Sequence, residues 1–172
     1  MTISGQYEAS FREFVAARWP VLLRAARLLV GDHHRGEDLL QSALARLWYV
    51  WPRVRDEAPE PYLRQVMVRL AIRSARRRWW REHPTETLPE TAVADPTGPV
   101  ADRQLLERAL SVLTARQRAV VVLRYLEDLP PAEIAAVLGC SVTSVGKHTA
   151  RALQRLRREL GDEAMTDVGR RL

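Results

Sequence analysis

Apolar residues recur along most of the chain at intervals of three and four, the spacing that gathers them on one face of a helix. Phe11, Phe14, Val15, Leu22, Ala25, Ala26 and Leu29 define a first helix over 11–29, in which Pro20 is expected to introduce a kink or a break. Gly31-Asp32 then supplies a helix start, and Leu40, Ala43, Leu44, Leu47, Trp48 and Trp51 form the apolar stripe of a second helix. The opposite face of that helix offers Asp38, Gln41, Ala45 and Arg46. Pro52, Pro59 and Pro61 bracket a predicted loop, with a third helix beginning near Tyr62. On a wheel of about 100° per residue, Leu63, Val66, Met67, Leu70 and Ala71 share one side of this third helix, and Arg69, Arg73, Arg76 and Trp80 share another.

Periodicity is lost from residue 83 and returns after residue 102. Thr114 with Gln117 three positions on is a capping box, so the run Ala119–Leu123, AVVVL, is read as helix despite its strand-like composition. Pro131 fits the first turn of a short helix, and Gly139 fits the left-handed residue that closes it. Gly139-Cys140-Ser141 is a three-residue turn, with Ser141 placed to cap a further helix from Val142. Ile134, Leu138, Val145, Leu153 and Leu156 form the shared core, and the small Ala135 lets the two helices approach. Turn, cap and spacing together predict a helix-turn-helix.

Composition sharpens this picture. The 172 residues are 47% hydrophobic and carry a formal charge of +6, enough apolar material for a packed core and too much for a disordered chain. Cys140 is the single cysteine, so no disulfide can form within the chain, and no apolar run approaches the length of a membrane span. With no signal peptide legible at the start, a reduced, cytoplasmic protein is expected. Of the 27 basic residues all but Lys147 are arginine. Their positions matter more than their number. Residues 11–82 carry +7, residues 83–102 carry −4, and residues 103–160 carry +5. The acidic stretch contains Pro84, Pro89, Pro96 and Pro99 and reads as a linker. The expected fold is therefore all-α, with two small helical domains, 1–82 and 103–160, joined by a flexible acidic Pro-rich linker, 83–102, and followed by a short tail, 161–172. Modules this small are marginal alone, so contact with one another or with a partner is expected.

Two surfaces have the chemistry of nucleic-acid binding. In the third helix Arg69, Arg73, Arg76 and Arg77 stand near Trp79 and Trp80, an arrangement that neutralises phosphates and stacks unpaired bases at about 1–3 kcal/mol each. In the last helix Thr143, Ser144, Lys147, His148 and Arg151 lie away from the apolar stripe, near the end that enters the major groove in helix-turn-helix proteins. Arg155, Arg157 and Arg158 follow as phosphate contacts.

These residues carry a family resemblance. From about Phe11 to Leu160 the chain resembles an alternative RNA polymerase sigma factor of the extracytoplasmic-function type, within the sigma-70 family and its SigE-like actinobacterial branch. GDHHRGEDLLQSALARLW resembles the region that docks on the β′ clamp helices of core polymerase, which implies interface roles for Asp38, Leu39, Gln41 and Ser42 and a secondary contact with β. PYLRQVMVRLAIRSARRRWWR resembles the regions that melt and read the minus-10 element, implying DNA contacts for Arg69, Arg73, Arg76, Arg77 and Trp80. The helix-turn-helix resembles the region that reads the minus-35 element, implying contacts for Thr143, Ser144, Lys147, His148, Arg151 and Arg155. Arg69 stands where many members have asparagine, and Gly36 where alanine is usual, at an expected cost of up to about 1 kcal/mol in helix stability. The resemblance further implies core RNA polymerase and promoter DNA as partners, an anti-sigma factor as a possible one, and no cofactor.

Two other readings stand beside it. A conventional helix-turn-helix regulator would use the first block to sense a ligand or dimerise. An enzyme or metal protein would draw on His33, His34, Glu37 and Asp38, but helical spacing divides these into two separate pairs, and HExxH, paired CxxC, P-loop and GxSxG motifs are all missing from the sequence. No metal and no catalysis are expected.

Overall fold

A computed structural model describes residues 3–81, 106 and 109–171, with side chains over 5–78, 106 and 109–159. The expected linker, 83–102, and the side chains of Trp79 and Trp80 lie outside the described residues. Helices α1 (Ile3–Val30), α2 (His33–Val54) and α3 (Pro59–Arg81) form the first module. The second contains α4 (Ala115–Val121), which runs into a π-turn at Val122–Leu126, then α5 (Pro131–Leu138) and α6 (Val142–Arg171). The described residues contain no strand, and AVVVL is helical as its capping box predicts.

The break allowed for at Pro20 is absent, and the loop expected from Pro52 is overturned. Helix α1 runs unbroken through Pro20, and α2 runs through Pro52, which shortens the loop before α3 to residues 55–58. Pro20 is on the exposed side, where water can satisfy the carbonyl its missing N–H leaves free, and packing on both sides holds α1 straight enough to continue. Toward the N-terminus Phe11 stands edge-on to Trp48 and Trp51 at 5.1 Å each, and the Trp51 Nε1 donates to Ser10 Oγ at 3.0 Å. Beyond Pro20, Ala25, Ala26, Leu28 and Leu29 are buried. Pro59 and Pro61 instead open α3, with Glu60 in its first turn, where the missing N–H groups cost least and a carboxylate is favoured.

Chain reversals between helices follow the predicted chemistry. Gly31 takes φ +72° to end α1, and Asp32 caps α2 by accepting from the Arg35 N–H at 2.8 Å. Thr114 and Gln117 form the reciprocal capping box of α4. Gly139 closes α5 at φ 62°, ψ 44°, and Ser141 Oγ accepts from the Ser144 N–H at 3.1 Å to start α6. Helix α6 continues through Arg171, so the segment predicted as a short tail extends this helix.

Leu40, Ala43, Leu44, Leu47 and Trp51 are buried as the stripe on α2 predicts, while Trp48 is 39% exposed at its edge. In the second module Ile134, Leu138, Val145 and Leu156 are buried together with Ala152. The two modules share one apolar core: α3 packs on α4 and α5, and α1 packs on α4 and the π-turn. Helix α3 is therefore covered on two sides. Leu63, Met67 and Ala71 meet the expectation, and Val68, outside the predicted stripe, is fully buried.

Candidate nucleic-acid and polymerase interface

The predicted arginine face is on the surface. Arg69, Arg73, Arg76 and Arg77 of α3 are all exposed, and no acidic side chain pairs with any of them among the described ion pairs. Four unpaired guanidiniums on one helix attract phosphate strongly and hold it with bidentate geometry. Trp80 sits in the last turn of the same helix.

A second basic face belongs to α6. Thr143, Lys147, Arg151 and Arg155 are exposed, and Ser144 and His148, which flank the buried stripe of Val145, Ala152 and Leu156, are half-buried. The turn that presents them is tightly fixed, because the Cys140 N–H donates to Ala135 O at 3.0 Å and the Val145 N–H to Ser141 O at 3.1 Å. His148 titrates below the usual histidine value, first because partial burial removes water from the ring, then through Arg116 and Arg151. Arg155 is partly engaged: its Nη1 donates to Val112 O at 3.3 Å, which ties the middle of α6 to the turn before α4.

On α2, Asp38, Gln41 and Ser42 are exposed, whereas Leu39 is 7% exposed and belongs to the core. As an interface residue Leu39 can act only through a groove of about 270 Å³, which it lines with Val30, Asp38, Ser42, Leu70, Ser74 and Arg78. The groove joins the Asp38 and Ser42 side of α2 to α3. Sequence spacing could not show this, since Ser74 and Arg78 lie more than thirty positions away.

The histidine pair is absorbed by structure. Glu37 is shared between Arg27 Nη2 and His33 Nε2, each at 3.3 Å, while His34 stacks edge-on to His33 at 5.6 Å between ring centres. Among the described residues, no three His, Cys, Asp or Glu side chains converge as metal ligands would.

Sequence reasoning missed two contacts that position these surfaces. Gly36 is buried against α1 so closely that a Cβ there would lie 2.8 Å from the Arg27 Cα and 2.9 Å from its backbone nitrogen. Its glycine is thus a requirement of helix approach; the expected loss of helix stability is the accompanying cost. Arg118 folds back to donate to Leu110 O at 2.9 Å and to Leu113 O at 3.4 Å, and its guanidinium covers Gly31. Burial draws its pKa below the ordinary arginine value, yet the carbonyls accept from the charged form.

Comparison with known proteins agrees with this arrangement. Residues 14–81 match the family description "Sigma-70 region 2", and residues 103–156 match "Sigma-70, region 4". The RNA polymerase sigma-E factor of Streptomyces coelicolor is 46% identical over 156 residues, covering 87% of this chain and 85% of that one. The ECF RNA polymerase sigma factor SigD of Mycobacterium tuberculosis is 32% identical over 167 residues, covering 88% and 77%. In fold, the chain is similar to the sigma factor RpoE from Bartonella quintana, solved in complex with the anti-sigma factor NepR, at a TM-score of 0.64 and 20% identity, covering 86% and 94%. The chain belongs to the sigma-70 family of RNA polymerase sigma factors. Within that family it is of the extracytoplasmic-function type and is similar to sigma-E factors.

Proposed function

We infer that the chain acts as an alternative sigma factor, binding core RNA polymerase and directing promoter-specific initiation at DNA. The observation that carries the mechanism is the simultaneous exposure of two basic faces on separate modules, one on α3 and one on α6. Their different chemistry divides the work. Helix α6 presents Thr143, Ser144, Lys147, His148 and Arg151 from a capped helix start, the geometry that reads base edges in duplex DNA, and so takes the minus-35 element. Arg155 adds a phosphate contact with whatever of its fork Val112 leaves free.

Helix α3 presents Arg69, Arg73, Arg76 and Arg77, a cationic track, and carries Trp80 in its last turn, a residue type that stacks on unpaired bases, and so takes the minus-10 element. Asp38, Gln41 and Ser42, with the groove beside them, form the docking face for the β′ clamp helices. Both modules bound through one chain gain effective concentration. The domain limits we assign are 1–82 for the docking and melting module and 103–160 for the duplex-reading module. Matches to both sigma regions favour this reading over a conventional helix-turn-helix regulator.

The protein is a regulator of transcription, not an enzyme, and acts in the cytoplasm where polymerase is found. No helix of the described residues is long and apolar enough to cross a membrane. An anti-sigma factor is a further candidate partner, since the structurally similar Bartonella protein is held by one. Run-off transcription tests the whole reading: purified chain with core polymerase yields specific transcripts from its cognate promoters, and no specific initiation on any promoter would refute it.

A further inference from the structure

Two guanidiniums and an imidazole meet where α6 passes the start of α4. On a wheel of about 100° per residue, with the buried Val145, Ala152 and Leu156 as the inner side, Thr143, Lys147 and Arg151 point outward, whereas His148 and Arg155 share one flank. That flank lies toward α4. Arg155 marks the contact by donating to Val112 O at 3.3 Å, just before α4 begins. Two turns earlier along the same flank, His148 is half-buried in the field of Arg116, in the first turn of α4, and of Arg151, one turn on along α6. Arg116 and Arg151 are both exposed, and no acidic side chain pairs with either among the described ion pairs.

In the free chain this place rejects a proton. An imidazolium would lose water to the neighbouring side chains and would stand beside two fixed positive charges, so the ring is held neutral well into the acid range of an ordinary histidine. A duplex changes the sign of the local field. The flank of a helix lying in a groove faces the sugar–phosphate strand, and exposed, unpaired guanidiniums draw a phosphate between them. That anion cancels the repulsion from Arg116 and Arg151 and gives the ring an acceptor, to which an imidazolium donates more strongly than a neutral ring.

We propose that His148 enters the minus-35 complex as the imidazolium, so that binding of the upstream duplex takes one proton from solvent and tightens as the pH falls. The cluster stands on the structure; the identity of its anion as promoter phosphate rests on the sigma reading. Protonation thus acts in opposite senses on the two states, weakening the fold of the free chain and strengthening the complex. A residue that only shaped the helix would do neither.

Holoenzyme assembled from the full chain and core polymerase, titrated onto a fluorescent duplex carrying the minus-35 element of one of its promoters, tests it at constant salt between about pH 8 and about pH 6. Across that interval wild type should gain about tenfold in affinity relative to His148→Gln, the change that one unit of pKa difference between free and bound states produces. Proton exchange by polymerase itself is common to both proteins and drops out of the ratio. His148→Arg, which carries its charge at every pH, should bind with the pH profile of His148→Gln and not that of wild type. Arg116→Ala, which removes one source of repulsion in the free chain, should gain less than wild type on acidification. Helicity by circular dichroism stays at the wild-type value in all three. A ratio of wild-type to His148→Gln affinity that is constant with pH, or that falls on acidification, would overturn the proton uptake. Failure of the sigma reading would show separately, as absent run-off initiation by wild type at any pH.

Discussion

Gly36 shows how one side chain, by being absent, sets the distance between two helices. Glycine inside a helix ordinarily costs up to about 1 kcal/mol against alanine, so Gly36→Ala would be expected to stabilise α2. The added methyl would instead meet the α1 backbone at Arg27, which cannot swing aside as a side chain could. Overpacking of this kind costs about 1–3 kcal/mol. Gly36→Ala is therefore expected to lower stability, measured as a shift of the urea midpoint without loss of the slope. His148 gives a second test at this scale. Its pKa is depressed by desolvation and by Arg116 and Arg151, so between its native value and the unfolded value of about 6.5 the unfolded chain binds more protons. The contribution of His148 is present above that range and is lost as pH falls through it. His148→Gln should make the fall in stability between neutral pH and pH 5 shallower, as read from thermal midpoints across that range.

Among the elements, the helix-turn-helix was legible because each of its signals is local. A proline in the first turn, a glycine at φ 62°, a serine accepting from the third N–H beyond it: none of these depends on what the rest of the chain does. Ser141→Ala removes that cap and should cost about 1 kcal/mol, and it should loosen the start of α6 enough to weaken minus-35 binding while core polymerase binding is unchanged. Binding assays with the isolated duplex and with core polymerase separate the two effects. Pro52 was misread as a helix end, and the break allowed for at Pro20 did not occur, for the converse reason. Whether a proline ends a helix depends on the packing that flanks it, here the Phe11, Phe14, Trp48 and Trp51 cluster and the buried alanines of α1. Helix α3 blurred for a related reason, since Val68 lies outside the stripe that faces its own module and is buried by the other.

For the whole molecule, the two exposed arginine faces make opposite demands on an experiment. Arg76→Ala should impair formation of the open complex, by an amount that shrinks as salt rises, and leave closed-complex binding nearly intact. Arg151→Ala should weaken binding to the upstream duplex by about 1–3 kcal/mol if it contacts a base, with little effect on melting. Permanganate footprinting of unpaired thymines and gel-shift titration distinguish these, and equal losses in both steps for Arg76→Ala would remove its assigned role. Most of this division could be read in the sequence. Arginine and tryptophan on one helix, polar and basic residues at the start of another, and an acidic proline-rich stretch between them are patterns of composition and period.

Sequence alone determined the helices, the caps, the helix-turn-helix and which faces stay polar, because those follow from interactions within a few residues and from the period of the chain. Tertiary structure decided the rest. Leu39 is core, Ser74 and Arg78 line a groove with Asp38, and Arg64 reaches Glu127 across 63 positions. These relations join residues far apart in the chain, and no local pattern encodes them, since each exists only once one apolar face has found another.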